Sequence, residues 1–253
     1  MRPEGSAPKG ADTSYSLTGK ALQYQLAGKG GKKVWATNTY EWGTQRLATA
    51  RVDREDQAGV DQHDTYRYDQ AGNVLSVSDA SRTGTDTQCF SYDHPRRMTE
   101  SWTQGVKTCA PAPAAGQTGG PAPYWHSYTY DKAGNRTTET LHDTAGDSTK
   151  DTKRTYDHPK PGAPQPHTLT SVTTDKPGGT ATKDSYGYDE TGNTNTRTLH
   201  GDTQHLSWDT EGHLAKVTEP GEDGKDKVTE YVYDTEGNRL HPPGRRPPGR
   251  QGG

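Results

Sequence analysis

Residues 66–73 read Tyr-Arg-Tyr-Asp-Gln-Ala-Gly-Asn, and this stretch predicts a β-hairpin. Residues two apart point to the same face of a strand, so Tyr66 and Tyr68 would share one face. Asp69 and Gly72 suit a type I turn, in which the carboxylate binds the turn backbone and the glycine takes the left-handed conformation of a bulged hairpin. Each such unit is a hairpin with one aromatic face, which only neighbouring units can cover.

The same pattern recurs along the chain. The full Tyr-x-Tyr-Asp-x-x-Gly-Asn motif occurs four times, and a fifth copy has Trp for the second Tyr and His for Asn. Beyond the first copy, which ends at Asn73, the motif residues are Tyr128, Tyr130, Asp131, Gly134 and Asn135; Tyr186, Tyr188, Asp189, Gly192 and Asn193; Trp208, Asp209 and Gly212; and Tyr231, Tyr233, Asp234, Gly237 and Asn238. Residues 90–95 and 155–159 keep only the front half of the motif, and residues 40–43 keep only an aromatic pair that ends at Trp42.

The spacing of the copies predicts a repeat array over residues 20–240. Second aromatics are mostly 20 to 26 residues apart, and the longer intervals contain Pro/Gly-rich insertions at 110–123 and 159–167, expected on one edge of the array. Residues 1–19 are expected to be a loose N-terminal segment, and residues 241–253 a disordered Pro/Arg/Gly tail. We therefore predict an all-β fold, a curved antiparallel sheet of about seven or eight stacked hairpins.

The composition leaves little for a conventional core. Only 26% of residues are hydrophobic, so the 14 tyrosines and 5 tryptophans would have to form the core. A mean hydropathy of −1.20 also fits disorder, the second interpretation for the whole chain. The regular aromatic spacing and a net charge of only −3 favour the folded array. The near-neutral charge argues against nucleic-acid binding, and no apolar run reaches membrane-spanning length.

The motifs at 66–73, 128–135, 186–193 and 231–238 resemble the RHS/YD-repeat family, in particular the repeat region of RHS proteins of actinobacteria such as streptomycetes. The resemblance covers roughly residues 20 to 240 and includes the linking segments at 40–47, 88–100 and 121–130. It implies part of a hollow β-shell that encloses a C-terminal polymorphic toxin. The implied partners are the rest of the shell and that toxin, and the implied location is secreted or at the cell surface.

The chain departs from the family pattern after residue 240. The Pro/Arg/Gly tail carries neither the core segment that supports self-cleavage in the family nor a toxin, and residues 1–5 lack the apolar run of a signal peptide. The alternatives are a module that binds surface carbohydrate through its aromatic stripe, or a truncated gene fragment.

The recurring carboxylates do not predict an enzyme. The turns explain them, and no catalytic pair converges, so we expect no catalytic residue, metal or cofactor. A calcium loop remains a rival interpretation, although each turn offers only one carboxylate and one amide. His94 and His158 each precede a proline and are interpreted as turn residues instead of metal ligands.

Cys89 and Cys109 are the two cysteines of the chain. They flank a predicted hairpin, so a disulfide between neighbouring strands is one interpretation in an oxidising compartment, and two unpaired thiols are the other.

Overall fold

The computed structural model describes residues 12–27, 29–221 and 224–240. In this part of the chain the elements are nineteen strands and two short 3-10 turns, Lys29–Gly31 and Ser148–Lys150. The strands are β1 Asp12–Tyr15, β2 Ala21–Ala27, β3 Lys33–Tyr40, β4 Leu47–Arg54, β5 Gln62–Tyr68, β6 Val74–Ser81, β7 Gly84–Tyr92, β8 Met98–Gln104, β9 Trp125–Tyr130, β10 Arg136–Leu141, β11 Thr152–Asp157, β12 Ser171–Asp175, β13 Thr182–Tyr188, β14 Thr194–Leu199, β15 Asp202–Trp208, β16 Leu214–Pro220, β17 Asp226–Glu230, β18 Val232–Tyr233 and β19 Arg239–Leu240. Seventeen of them belong to an antiparallel sheet, which confirms the predicted all-β class.

The chain divides into two compact units. The first comprises Met1–Tyr130 and Thr138–Lys153, and the second comprises Asp131–Thr137 and Arg154–Gly253. In the first unit each strand from β1 to β9 pairs antiparallel with the next strand along the chain. In the second unit the same holds from β12 to β17. Each unit is therefore a meander of hairpins, in which neighbours in sequence are neighbours in the sheet.

Register shifts recur at one position of the repeat. In the first unit the pairing slips by one residue just before Tyr15, Tyr40, Tyr68 and Tyr92. In the second unit it slips just before Tyr188 and Trp208. A bulge at this position increases the local twist of the strand. It also interrupts the alternation of side chains between the two faces of the sheet at the second aromatic.

Burial differs from the aromatic core expected from composition, and that expectation was wrong. Among the described residues, the buried hydrophobic side chains are Cys89, Trp102 and Val172, while nine buried residues are polar or charged. Buried hydroxyls pair with one another, as Ser78 Oγ and Thr87 Oγ1 do at 2.8 Å. The tyrosines stay half-buried or exposed, because their hydroxyls need polar partners that the interior of an apolar core would lack.

The insertion at 110–123, expected on one edge of the array, hydrogen-bonds to the end of β8. Its flanks bind along β8: Gly119 N donates to Thr103 O at 3.1 Å, and Ala110 N donates to Gln104 Oε1 at 2.7 Å. Trp102 and Thr103 are adjacent and so point to opposite faces, yet both are buried. The proline-rich segment is therefore hydrogen-bonded to the end of β8, next to these two buried residues.

The other predicted boundaries have mixed outcomes. Residues 1–19 were predicted to be a loose segment, but residues 12–15 form strand β1. Residues 1–11 lie outside the described residues. The predicted tail 241–253 also lies outside them. The segment 159–167 contains no strand, and its Gln165 side chain donates to Asp189 O at 2.7 Å.

Candidate functional site

The repeat turn is closed by its aspartate and asparagine together. Asp69 N donates to Asn73 O at 3.0 Å, and Gly72, with φ of 94°, donates its N–H to Asp69 O at 3.2 Å. The Asp69 carboxylate accepts from Asn73 N at 2.9 Å and from Asn73 Nδ2 at 2.7 Å. The side-chain hydrogen bond from Asn73 holds the pKa of Asp69 below its usual value. The sequence had suggested roles for Asp and Gly, but it gave none for Asn.

The other full motifs close their turns with the same pair of hydrogen bonds between asparagine and aspartate. In each, one carboxylate oxygen accepts from the backbone N–H four residues on, and the side-chain amide of that residue also donates to the carboxylate. The pairs are Asp131 with Asn135, at 2.9 and 3.0 Å; Asp189 with Asn193, at 2.9 and 3.1 Å; and Asp234 with Asn238, at 2.8 and 3.1 Å. In the fifth copy His213 N donates to Asp209 at 2.8 Å.

The weak copy at 90–95 closes as a full turn. Arg97 donates to Asp93 through its backbone N at 2.8 Å and through Nε at 2.7 Å, which is the double contact that Asn makes elsewhere. Arg96, with φ of 68°, takes the left-handed position of the glycine. His94 and Pro95 occupy the two middle positions. In the copy at 155–159, by contrast, the Asp157 carboxylate accepts from Ser171 Oγ at 2.7 Å.

The sequence missed one further copy at residues 15–20. Ser16 takes the place of aspartate: its Oγ accepts from Lys20 N at 3.0 Å, and Gly19, with φ of 78°, donates to Ser16 O at 3.0 Å. Serine can make the same local hydrogen bond as aspartate, although more weakly. The spacing of Ser16 and Gly19 therefore indicated this turn, but the motif was defined by aspartate.

The copy at 40–43 was assigned to the wrong register. Trp42, predicted as its second aromatic, is 95% exposed and lies in the turn. Tyr40 holds the second-aromatic position instead, because Glu41 N donates to Arg46 O at 2.8 Å and closes a turn one residue longer than the others.

Seven second aromatics each join a hairpin to the preceding one. Tyr68 Oη donates to the carbonyl of Leu47, the first residue of β4, at 2.8 Å. The same bond runs from Tyr40 to Ala21 at 3.0 Å, Tyr92 to Val74 at 2.8 Å, Tyr130 to Met98 at 2.7 Å, Tyr188 to Leu169 at 2.9 Å and Tyr233 to Leu214 at 3.0 Å. Trp208 Nε1 donates to Thr194 O at 2.9 Å, which explains why Trp replaces Tyr there. We call this series the aromatic ladder.

Where arginine or histidine closes a turn, its side chain also stacks on an aromatic ring of the ladder. The Arg46 guanidinium lies 4.6 Å from the centroid of the Tyr68 ring, and Arg97 lies 4.7 Å from that of Tyr130. The His213 ring stacks on Tyr233 at 4.6 Å. Arginine and histidine therefore replace asparagine where the closing residue also covers the next aromatic ring, a contact worth about 0.5–1 kcal/mol for an exposed cation.

Removing one ladder hydroxyl should weaken the first unit measurably. We expect Tyr68→Phe to lower the free energy of unfolding by about 1 kcal/mol, because the Leu47 carbonyl loses its donor while the ring remains. The measurement is chemical denaturation followed by circular dichroism. Tyr15→Phe is the matched control, since Tyr15 is 63% exposed, and it should leave the midpoint unchanged. Equal effects of the two variants would contradict the ladder.

A row of three carboxylates lies across β5, β6 and β7. Asp64 pairs with Asp79 in register, and Asp79 pairs with Asp86. Burial raises the pKa of Asp64, and repulsion from Asp79 adds to it; burial also raises the pKa of Asp86. Among the described residues, no group of three or more His, Cys, Asp or Glu side chains is placed to hold a metal ion.

Asp64 in this row and Asp69 in its turn should respond oppositely to pH. Asp64 has a higher pKa in the folded protein than in the unfolded chain. Its effect on the free energy of unfolding is therefore most favourable in acid, below the unfolded-state pKa, and this advantage is lost as pH rises through the folded-state pKa. Asp64→Asn should therefore raise stability at neutral pH, with a gain that disappears in acid. Asp69, whose pKa is lowered, stabilises at neutral pH and loses this contribution as pH falls, so Asp69→Asn should destabilise. Denaturation curves over an acid-to-neutral series would measure both, and effects of the same sign would refute the assignment.

Cys89 and Cys109 are joined by a disulfide with a Cα–Cα distance of 5.8 Å. Cys89 lies on β7 and is fully buried, and Cys109 lies in the segment that follows β8. The bond fastens this segment to the sheet.

The second unit contains a cleft of about 460 Å³. Two half-buried tyrosines, Tyr156 and Tyr186, line it together with Arg154, Asp184 and His200. Aromatic rings beside charged and polar groups are the combination that sugar rings bind.

The fold and the ladder define a β-hairpin repeat protein in which seven second aromatics each bond a hairpin to the one before it. No family model matches the chain. The chain is similar to toxin subunit YenC1 of Yersinia entomophaga, with 30% identity over 248 residues, covering 89% of this chain and 24% of that relative. It is also similar to toxin subunit YenC2 of the same organism, with 32% identity over 148 residues, covering 46% and 15%.

A likeness to a solved structure is weaker. The Tc holotoxin pore of Photorhabdus luminescens matches with a TM-score of 0.41 and 17% identity, over 90% of this chain and 13% of that one. The chain thus spans about a quarter or less of the toxin subunits that it resembles. The resemblance to actinobacterial members stays a prediction. Within the described residues, no helix is long and apolar enough to cross a membrane.

Proposed function

We propose that the chain is a non-catalytic segment of the wall of an RHS-type β-shell, in a larger toxin subunit that encloses and helps to deliver a C-terminal toxin. The observation that carries the proposal is the aromatic ladder, which appears in both units. A bond that joins each hairpin to its predecessor lets the sheet grow by addition of repeats, with no closed apolar core.

The burial pattern supports a wall. The described residues bury few hydrophobic side chains, and their half-buried tyrosines anchor neighbouring strands instead of filling an interior. The wall of a shell depends on continuous hydrogen bonding between neighbouring strands more than on a thick apolar core. The similarity to two toxin subunits, each far longer than this chain, supports a role as part of a larger assembly. The partners would be the remaining shell and the enclosed toxin, exported together.

Protection of cargo tests this proposal. The parent protein that contains this chain would be purified together with its C-terminal segment, and the digestion of that segment by a protease would be compared with digestion of the same segment expressed alone. We expect much slower digestion within the parent, because a shell excludes the protease. Equal digestion rates in the two samples would reject the enclosing role.

Binding of a surface carbohydrate is the second candidate function, favoured by the cleft with Tyr156 and Tyr186. A glycan array with the full chain should then give a signal that Tyr186→Ala removes and that Tyr15→Phe leaves unchanged. The absence of any signal at high protein concentration would eliminate this function and leave the wall proposal intact.

A further inference from the structure

A second cavity, of about 190 Å³, lies in the first unit over strands β5 and β6. Alternation along β5 places His63, Thr65 and Arg67 on one face. Thr65 pairs with Ser78 and Arg67 pairs with Ser76 on β6, so all of these side chains share the face that forms the floor. Lys107 and Thr108, from the segment after β8, form the facing wall.

The charges around this cavity are of one sign. Arg67 and Lys107 line it, and no carboxylate belongs to its lining. Asp64 and its partner Asp79 alternate onto the opposite face of the sheet. On the cavity's own face, Arg51 pairs with His63, and the nearby Asp53 is already held by the Arg51 guanidinium at 2.7 and 2.8 Å. The cavity therefore offers cationic groups whose charge no lining residue neutralises.

Hydroxyl groups complete the floor. Ser76 is 4% exposed and lines the cavity. Ser78 is 6% exposed and shares a hydrogen bond with Thr87. A hydroxyl that lines a cavity can donate a hydrogen bond to an oxygen of a bound ligand.

The disulfide holds the cationic wall in place. Cys89 pairs in register with Ser76, and its bond to Cys109 fixes the residue that follows Thr108 beside the floor. Lys107 is exposed and lies on a segment without strand pairing, so the covalent bond supplies the positioning that the sheet does not.

We propose that this cavity binds a tetrahedral oxyanion, a phosphate or sulfate group. A guanidinium can donate two parallel hydrogen bonds to such a group, the lysine ammonium adds a point charge, and the serine and threonine hydroxyls donate to the remaining oxygens. The wall function does not require this site, so it is an additional binding activity of the repeat array.

Isothermal titration calorimetry of the full oxidised chain at low ionic strength tests the site, with inorganic phosphate, inorganic sulfate, methyl phosphate and acetate as probes. We expect saturable binding of phosphate or sulfate. Arg67→Gln and Lys107→Gln should each weaken it about tenfold or more, because each removes a charged hydrogen-bond donor. Lys183→Gln, a change of an exposed lysine in the second unit, is the matched control and should leave the affinity unchanged.

Two further variants test the two sides of the cavity separately: Ser76→Ala changes the floor, and Cys109→Ser changes the wall that carries Lys107. Ser76→Ala removes a hydroxyl that lines the cavity and should weaken binding. Cys109→Ser should weaken it by releasing Lys107. Circular dichroism would verify that each variant is folded. Binding of methyl phosphate would assign the site to an esterified group, and its exclusion would assign it to a free ion. The proposal is overturned if no probe saturates, if acetate binds equally well, or if Arg67→Gln and Lys107→Gln leave the affinity unchanged.

Discussion

Trp102→Ala should lower the free energy of unfolding of the first unit by about 3–5 kcal/mol, which is typical for truncation of a buried aromatic side chain. Trp102 is 3% exposed, and its register partners are Cys89 on β7 and Trp125 on β9. Replacement by alanine removes apolar contact across three strands. Chemical denaturation followed by circular dichroism would measure the loss.

The matched control is Trp42→Ala. Trp42 is 95% exposed, so removal of the same side chain should change the free energy of unfolding by no more than about 0.5 kcal/mol. A comparable loss in the two variants would show that burial around β8 does not stabilise the unit as the structure indicates. It would also reopen the assignment of Tyr40, instead of Trp42, to the ladder.

Loss of the disulfide should have the second large effect. Cys89 and Cys109 are separated by 20 residues, and a cross-link that closes a loop of this size stabilises a fold by about 3 kcal/mol, chiefly by restricting the unfolded chain. Cys109→Ser should therefore lower the denaturation midpoint of the first unit. Addition of reductant to the unchanged protein should lower it by a similar amount.

Reductant should have no effect on Cys109→Ser, which gives the internal control for this prediction. The second unit, Asp131–Thr137 with Arg154–Gly253, contains neither cysteine, so its stability should not depend on the redox state. If the oxidised and reduced proteins unfold at the same denaturant concentration, the disulfide does not hold the segment after β8.

Asp64 and Asp69 show why the carboxylates of this chain cannot be treated as one class. Asp69 faces its own turn, where hydrogen bonds from Asn73 and the backbone favour the ionised form. Asp64 faces a neighbouring carboxylate across the strands and is buried, so ionisation is disfavoured. Their positions in the motif or strand, and not their chemistry, decide the sign of the pKa shift.

Local features of the chain were predictable from sequence. The positions of Asp69 and Gly72 indicated a reversal between β5 and β6, because the bonds that close the turn lie within five residues and need only the backbone conformations that these two residue types favour. The recurrence of that pattern was enough to predict an all-β array. Copies with Ser16 or Arg97 in a motif position were missed or only half recognised, since different side chains can make the same local bond.

Contacts between distant residues were decided only by the tertiary structure. The Tyr68 hydroxyl bonds a carbonyl 21 residues earlier, and the acceptor is a backbone group that carries no sequence signal. Composition predicted an aromatic core, but Trp102, on a strand paired on both sides, is buried, while Trp42, in a turn, is left in solvent. Turn chemistry is local and can be read from a few residues, whereas burial depends on which segments pack over a strand once the whole unit has formed.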